Sequence, residues 1–270
     1  MKNVAVSGAF DDVKPDSIRF LQEAAKLGRV HALLWPDGLV EKASGAPAKF
    51  PEAERLYMAQ AVRYVDRVIR PAVSFDPVSL PESVLSDCSM WIDRPSKWNT
   101  ERENFCTENS LEYKVIPNDA LSGFPDEGDP AKPTGKSVLV TGCYDWFHSG
   151  HIRFFEEVSE LASLYVVVGN DENVKLLKGE GHPMFSDEER RYLCGSMRYV
   201  HQALISTGEG WMDAAPEIAL IHPDMYAVNE DGDKEEKRRF CKQHGIEYVV
   251  LKRVPKEGLK RRSSTNLRGF

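Results

Sequence analysis

Short apolar runs and amphipathic stretches alternate along the second half of the chain. Residues 138–141 and 164–168 are continuous runs rich in valine, which is typical of strands buried on both faces. Residues 151–161, between them, have the apolar spacing of an amphipathic helix. Further elements are predicted as helices at 186–200 and 234–244 and as strands at 225–228 and 247–251. This alternation predicts an α/β fold in which helices cover both faces of a parallel sheet.

The same pattern occurs twice in the chain. Residues 2–11 (KNVAVSGAFD) match residues 136–145 (KSVLVTGCYD) at an offset of 134, which becomes 135 after a one-residue insertion. Later pairs in register include Phe50 with Phe185, Arg55 with Arg190, Arg63 with Arg198 and Cys106 with Cys241. A period this long gives each copy its own core. We therefore predict duplication of a whole domain, giving two tandem Rossmann-like domains.

The segment between the copies has the composition of a linker. Residues 119–135 (DALSGFPDEGDPAKPTG) are rich in Gly, Pro and Asp and have no apolar periodicity. The predicted organisation is a first domain at 1–118, a linker at 119–135 and a second domain at 136–270.

Composition excludes several classes of function. The 270 residues carry 35 basic and 42 acidic side chains, a net charge of −7, so no nucleic-acid partner is expected. No apolar stretch approaches the ~18–20 residues of a membrane span, and the N-terminus has no signal-peptide pattern. The five cysteines are widely spaced and form no CxxC pair, which favours reduced thiols over disulfides or a zinc site. We expect a soluble, cytoplasmic protein without a metal site of its own.

Candidate chemistry is concentrated in residues 142–151, GCYDWFHSGH, between a strand and a helix of the second copy. Gly142 permits a tight turn close to a ligand. His148 and His151 fall at the predicted helix N-terminus, where backbone N–H groups and the helix dipole favour an anion. The alternative is two surface histidines that are close by chance. Their position at a strand-to-helix junction favours a phosphate site.

This segment resembles the signature G-x-F/Y-D-x-x-H-x-G-H of the cytidylyltransferase-like nucleotidyltransferases. That family includes glycerol-3-phosphate, choline-phosphate and ethanolamine-phosphate cytidylyltransferases and ADP-heptose-forming adenylyltransferases. The resemblance covers the second copy nearly end to end. Its other segments are Lys175 with Lys178-Gly179, Glu189-Arg190, Arg198-Tyr199-Val200, Trp211, Asn229-Glu230-Asp231, Arg253, and Ser263-Ser264-Thr265 with Arg268.

The resemblance implies a reaction and assigns residues to it. An acceptor phosphate oxygen attacks the α-phosphorus of a nucleoside triphosphate and pyrophosphate leaves, a step that needs positioning and charge stabilisation. The implied catalytic residues are His148, His151 and Lys178. The implied nucleotide-binding residues are Gly142, Tyr144, Asp145, Gly150, Lys175, Ser264, Thr265 and Arg268. The implied substrate-binding residues are Asp171, Arg190, Arg198, Trp211, Asp231 and Arg253. Mg²⁺ would accompany the triphosphate, with Asp145 as an indirect partner.

Two features depart from the family pattern, and both lie near the acceptor end of the site. The spacing from Arg253 to Ser263 is longer than in the family, and Asn229 replaces the glycine of its G-N-D motif. The acceptor is therefore predicted only as a small phosphorylated alcohol or sugar.

The nucleotide is predicted as CTP or ATP. The R-Y-V segment, Trp211 and Asp231 follow the glycerol-3-phosphate cytidylyltransferase pattern, and we prefer CTP for that reason. The alternative is ATP with a sugar phosphate, because Lys175-Leu-Leu-Lys178-Gly179 resembles the ADP-heptose enzymes. A non-catalytic nucleotide-binding scaffold is the third hypothesis, against which the intact histidines and Lys178 argue.

The first copy lacks the phosphate-binding residues. Lys14 and Ser17 stand where the second copy has its two histidines, Asp16 replaces the glycine between them, and Ser44 stands where the second copy has Lys178. We predict an inactive first domain that packs on the second as an intramolecular pseudo-dimer. The sequence leaves any further homo-oligomer open.

Overall fold

The computed structural model describes residues 2–11, 13–72 and 75–264. The chain forms two compact units, Met1–Gly123 and Phe124–Phe270, and the division falls inside the predicted linker. Each unit contains one five-stranded parallel sheet, which confirms the predicted α/β class.

The first unit has a parallel sheet with the strand order β3-β2-β1-β4-β5. Its strands are β1 Asn3–Gly8, β2 Arg29–Leu34, β3 Arg67–Ile69, β4 Met90–Asp93 and β5 Glu112–Val115. Its α-helices are α1 Pro15–Ala25, α2 Asp37–Ser44, α3 Glu52–Ala61, α4 Glu82–Leu85 and α5 Thr100–Glu108, with 3-10 turns at Pro95–Lys97 and Asn118–Leu121.

The second unit has a parallel sheet with the strand order β10-β9-β6-β7-β8. Its strands are β6 Ser137–Gly142, β7 Ser163–Val168, β8 Val200–Ile205, β9 Met225–Asn229 and β10 Glu247–Leu251. Its α-helices are α6 Ser149–Ser159, α7 Asp171–Lys178, α8 Asp187–Gly195, α9 Ala215–Ile221 and α10 Glu235–His244, with 3-10 turns at Gly210–Met212 and Glu230–Gly232. Counted from its own first strand, each sheet has the order 3-2-1-4-5.

The predicted helix at 186–200 is shorter in the structure. Ser186 caps it, and the Ser186 hydroxyl and Glu189 carboxylate form a reciprocal capping box. The helix ends at Gly195 because the chain must turn before Val200, which pairs with Leu164 at the start of β8. Strand β8 was not predicted, because its first residue, Val200, was assigned to the helix predicted over residues 186–200.

The core strands are buried on both faces, as their continuous apolar sequences predict. Every residue of 164–168 is at most 1 % exposed, and Val138, Leu139 and Val140 are fully buried. Strand β6 lies between β7 and β9, so the loops that follow β6 and β9 flank the point where the strand order reverses. Ligands of such sheets bind at this carboxyl edge.

Each unit contains a buried arginine with the same internal contacts, in addition to the same strand order. Arg190 donates to the Phe185 carbonyl at 2.9 Å and to the Asp171 carboxylate at 2.6 Å. Arg55 is the residue of the first unit that matches Arg190. It donates to the Phe50 carbonyl at 3.0 Å and to the carboxylate of Asp37, which matches Asp171, at 2.6 Å. Arg190 and Arg55 are both fully buried, so each fixes the loop before its own helix in the same way.

Part of the predicted linker covers the edge strand β8. The Ala203 N–H donates to the Glu127 carboxylate at 3.1 Å, and the Gln202 amide donates to the Asp129 carbonyl at 3.1 Å and accepts from the Ala131 N–H at 2.8 Å. These bonds satisfy polar groups that an open sheet edge would leave exposed. Residues 127–131 therefore belong to the second unit, although they fall in the predicted linker.

The five thiols are free of disulfides. Within the described part of the chain, no helix combines the length and apolar character that crossing a bilayer requires.

Candidate active site

His148 begins helix α6 and is held by the helix itself. Its backbone is extended, and its Nδ1 accepts a hydrogen bond from the Gly150 N–H at 3.0 Å. The ring is completely buried. This bond satisfies one of the N–H groups that a helix leaves free at its first turn.

Two glycines make room for aromatic rings in this loop. A Cβ at position 150 would lie 2.9 Å from His148 Nδ1, and a Cβ at position 142 would lie 2.7 Å from Cζ of Tyr144. Tyr144 itself has a left-handed backbone (φ 55°), which non-glycine residues adopt at a cost. The two glycines of the segment 142–151 are therefore required by the packing of the Tyr144 and His148 rings as well as by ligand binding.

The two histidine rings stack on each other. The His148 and His151 ring centroids are 4.1 Å apart and the planes are inclined by 18°. The His151 ring also contacts Tyr144 and Phe147, at centroid distances of 5.4 and 5.5 Å. The aromatic contacts fix both imidazoles at the start of α6.

Both imidazoles are neutral at neutral pH. The pKa of His148 is lowered to about 3, mainly by burial and to a smaller extent by the charges of Arg253 and Arg262. Burial also lowers the pKa of His151 well below its usual value, with His148, Arg253 and Lys178 adding to the effect. Because His148 Nδ1 accepts a hydrogen bond, its proton is on Nε2.

One nitrogen of each histidine has no hydrogen-bond partner among the residues that the structure describes. His148 Nε2 and His151 Nδ1 are buried and make no hydrogen bond to any described residue. Buried polar atoms of folded proteins are normally satisfied, so two such atoms side by side indicate a place for ligand atoms.

A cavity of about 220 Å³ opens beside these rings. It lies at the carboxyl ends of β6 and β9. Its wall includes nine of the predicted residues: Gly142, Tyr144, Asp145, Gly150, His151, Lys178, Asp231, Arg253 and Ser264. His148 is not part of the wall, and its ring stacks on that of His151. The cavity thus combines a helix N-terminus with several charged side chains.

The cations of the wall differ in their pairing. Arg253 forms an ion pair with Asp231 and donates to the Arg262 carbonyl at 2.9 Å. Lys178 is the exposed last residue of α7, and no described carboxylate lies within 4 Å of its Nζ. Lys178 is therefore available to an anionic ligand.

Arg190 and Asp171 lie outside the cavity. Besides its bonds to Phe185 and Asp171, the Arg190 guanidinium donates to the Cys143 carbonyl at 2.8 Å. Because three of its nitrogens are engaged and the side chain is fully buried, Arg190 positions the loop after β6. Asp171 completes that contact.

Three other predicted residues are also outside the cavity wall. Lys175 pairs with the exposed Glu180 at 3.3 Å, Arg198 is exposed, and Trp211 is 53 % exposed on the turn Gly210–Met212. Thr265 and Arg268 lie outside the described residues.

Two basic side chains of the wall were not predicted. His182 precedes Pro183, and its Nδ1 is 3.5 Å from Oδ2 of Asp145. Lys237 lies on α10, with its Nζ 5.7 Å from the centroid of the Tyr226 ring, and burial lowers its pKa. Lys237 is four residues before the buried Cys241, so helical spacing placed it on the inward face.

Comparison with known proteins agrees with this geometry. The family described as "Cytidylyltransferase-like" matches residues 139–269, within the second unit. An FAD synthase of Ferroglobus placidus is 32 % identical over 135 residues, 49 % of this chain and 85 % of the relative. An FAD synthase of Thermococcus kodakarensis is 36 % identical over 121 residues, 44 % of this chain and 78 % of the relative. The bifunctional protein HldE of Vibrio cholerae is 40 % identical over 129 residues, 46 % of this chain but 25 % of the relative. The chain belongs to the cytidylyltransferase-like family and is a nucleotidyltransferase.

Proposed function

We propose that the second unit transfers the adenylyl group of ATP to a small phosphorylated acceptor. An acceptor phosphate oxygen forms a bond to the α-phosphorus while the bond from that phosphorus to the bridging oxygen of the β-phosphate breaks, and pyrophosphate leaves. The observation that carries the proposal is the pair of neutral, stacked imidazoles at the start of α6, each with a buried nitrogen that bonds to no described residue.

The site residues have separate tasks. His151 contacts triphosphate oxygens at the cavity wall. His148, whose ring stacks on His151, positions it and adds its Nε2–H dipole to the field that stabilises the charge developing around the α-phosphorus. The N-terminus of α6 adds its dipole. Lys178 and Arg253 offset the charge of the leaving pyrophosphate. None of these residues forms a covalent intermediate, so the contribution of the protein is positioning and electrostatics.

Magnesium fits this site as a companion of the triphosphate. No cluster of three metal-binding side chains occurs in residues 2–11, 13–72 and 75–264, so phosphate oxygens would supply most of its ligands. Asp145 Oδ1 accepts from the Met184 and Phe185 N–H groups at 2.8 and 3.1 Å, whereas its Oδ2 is buried without a hydrogen bond. That oxygen is available to a magnesium-bound water. When bound, the ion would supply positive charge to the phosphates.

ATP is favoured over CTP by the relatives and by the position of two side chains. The named product of the FAD synthases contains an AMP unit joined to flavin mononucleotide. The preference for CTP rested partly on Arg198 and Trp211, and neither lines the cavity. We therefore propose ATP as the nucleotide.

The acceptor proposed here is a phosphorylated polyol. Flavin mononucleotide is the phosphate ester of a ribityl chain, so it belongs to the predicted class of phosphorylated alcohols and sugars. Flavin mononucleotide and a small alcohol or sugar phosphate would each present a terminal phosphate to the cationic wall of the cavity.

The test is pyrophosphate release by the full chain with magnesium. ATP or CTP is combined in turn with flavin mononucleotide, glycerol 3-phosphate and sugar 1-phosphates. We expect release that requires ATP and one of the acceptors. Release with CTP alone would contradict the proposed nucleotide. Binding of ATP without release by any acceptor would favour a non-catalytic scaffold.

We infer that the first unit is an inactive duplicate. Its phosphate-binding position is occupied by an internal ion pair: Arg94 donates to the Asp16 carboxylate at 3.2 Å and to the Asp16 carbonyl at 2.6 Å. Ser44, in the place of Lys178, donates to the Val40 carbonyl at 2.8 Å. The shared strand order and the matched contacts of Arg55 and Arg190 support the duplication.

A further inference from the structure

The first unit contains a cavity of its own, of about 270 Å³, at the carboxyl end of β1. Its lining includes Phe10, Val13, Phe20, Leu21, Ala59 and Val62. Four of these, Val13, Leu21, Ala59 and Val62, are less than 9 % exposed. The cavity therefore reaches from the surface into the core.

Aromatic and other large side chains fill the matched region of the second unit. Phe155 contacts Tyr144 and Phe147, with ring centroids 5.2 and 6.0 Å apart, and Phe147 in turn contacts His151. In the repeat register, Val13 matches Phe147, Ser17 matches His151, Leu21 matches Phe155 and Val62 matches Met197. The first unit has the smaller side chain at each of these positions. The outer part of its cavity matches the active-site cavity of the second unit, and the inner part is space that the second unit fills with Phe155 and Met197.

The cavity is lined by carboxylates as well as cations, and the carboxylates are engaged by other groups. Asp11 accepts from the Lys49 and Phe50 N–H groups at 2.7 and 2.9 Å, and Asp93 pairs with Arg102 at 2.7 Å. The Arg94 guanidinium lies 5.0 Å from the centroid of the Phe20 ring and pairs with Asp16. Lys97 also lines the cavity, and no carboxylate of the described chain lies within 4 Å of its Nζ. One cation therefore remains available beside an apolar interior.

This combination excludes a nucleoside triphosphate and favours another ligand. The two histidines and the glycine of the phosphate site are absent, and Asp16 would repel a polyphosphate. An apolar interior with the Phe10 and Phe20 rings suits an aromatic group, and a single free cation suits a single negative charge.

We propose that the first unit binds a small aromatic carboxylate. Its ring occupies the cavity among Phe10, Leu21 and Val62, and its carboxylate lies at the mouth against Lys97. This site is independent of nucleotidyl transfer by the second unit.

The test uses 2-naphthoate as the probe and 2-naphthamide as its uncharged counterpart, titrated calorimetrically into the full chain. The variants Leu21→Phe and Val62→Met introduce the larger side chains that the second unit has at these positions, and we call them the filled variants. Lys97→Ala removes the free cation, and Lys242→Ala, on an exposed face of α10, is the matched control. We expect one saturable site for 2-naphthoate, loss of at least about tenfold in affinity in each filled variant, and weaker binding of 2-naphthoate but not of 2-naphthamide in Lys97→Ala.

Three results would overturn the proposal. They are the absence of saturable binding, binding that both filled variants retain at full affinity, and binding displaced by ATP with magnesium, which would place the probe in the second unit. Far-UV circular dichroism and thermal unfolding of the filled variants, compared with the parent chain, show whether the first unit remains folded. If both variants fail to fold, equal affinity of Lys97→Ala and the parent chain for 2-naphthoate overturns the proposal.

Discussion

The Gly150 N–H donates to Nδ1 of His148 at 3.0 Å, and this bond places a proton on the opposite nitrogen of the ring. A backbone group therefore selects the tautomer of a buried catalytic candidate. The same glycine leaves the space in which the ring lies. Substitutions at position 150 thus test geometry separately from the imidazoles themselves.

Gly150→Ala should lower pyrophosphate release by about 100-fold, the effect of losing one well-placed donor. The new Cβ would lie 2.9 Å from His148 Nδ1 and would displace the ring. Steady-state kinetics measure the loss. Gly38→Ala is the matched control, because a Cβ at position 38 meets nothing within 4 Å. Full activity of Gly150→Ala would show that the position of the His148 ring does not matter.

His151→Ala should lower kcat by about 100- to 1000-fold while the chain stays folded, with a melting temperature lowered by the lost contacts of the ring with His148, Tyr144 and Phe147. The unpartnered Nδ1 contributes nothing to internal hydrogen bonding, so its loss affects the reaction more than the fold. The measurement is pyrophosphate release together with thermal unfolding. His244→Ala, at an exposed site on α10, is the control. Unchanged turnover in His151→Ala would remove this residue from the site.

The stability of the second unit should fall in acid because of the two histidines. In the folded chain their pKa values are depressed, that of His148 to about 3, whereas the unfolded histidines titrate near 6.5. Below about pH 6.5 the unfolded state binds more protons, so stability decreases as pH falls toward 3. The limiting slope is about 1.4 kcal/mol per pH unit for each histidine.

Urea unfolding at pH 7 and pH 5 measures this dependence. His148→Gln removes one titrating group and should reduce the loss of stability between the two pH values. An equal pH dependence in His148→Gln and the parent chain would show that His148 is not held neutral by the fold.

Arg190→Ala should destabilise the chain by about 3 kcal/mol, because buried carbonyl groups and the Asp171 carboxylate lose their donor. Arg55→Ala should cost a similar amount, since Arg55 makes the matched contacts. Denaturant unfolding with a probe in each unit measures both. A raised KM for Arg190→Ala with unchanged stability would instead indicate direct contact with substrate.

The parts of the fold and of the site that depend on residues close together in the chain could be predicted from local sequence patterns. Residues 164–168 are apolar because both faces of β7 are buried, and His148 and His151 are close because one helical turn joins them. The direction of the Arg190 side chain could not be predicted in this way, because its partners Cys143 and Asp171 come from other loops. The approach of His182 to Asp145 likewise depends on how a distant loop returns to the sheet.

Lys237 provides the last test of the site, because it is a cation of the cavity wall that no motif includes. Burial lowers its pKa, yet no carboxylate within the described ranges lies within 4 Å of its Nζ, so an anionic ligand would compensate for the cost of burying it. Lys237→Met keeps the length of the side chain and removes the charge. We expect KM for one of the two substrates to rise about tenfold, the effect of a single charged contact of about 1.4 kcal/mol, while the free energy of unfolding is unchanged or higher. Lys242→Met, on the exposed side of the same helix, should change neither quantity. Equal KM values in both variants would place Lys237 outside the substrate contacts and leave Lys178 and Arg253 as the cations that bind phosphate.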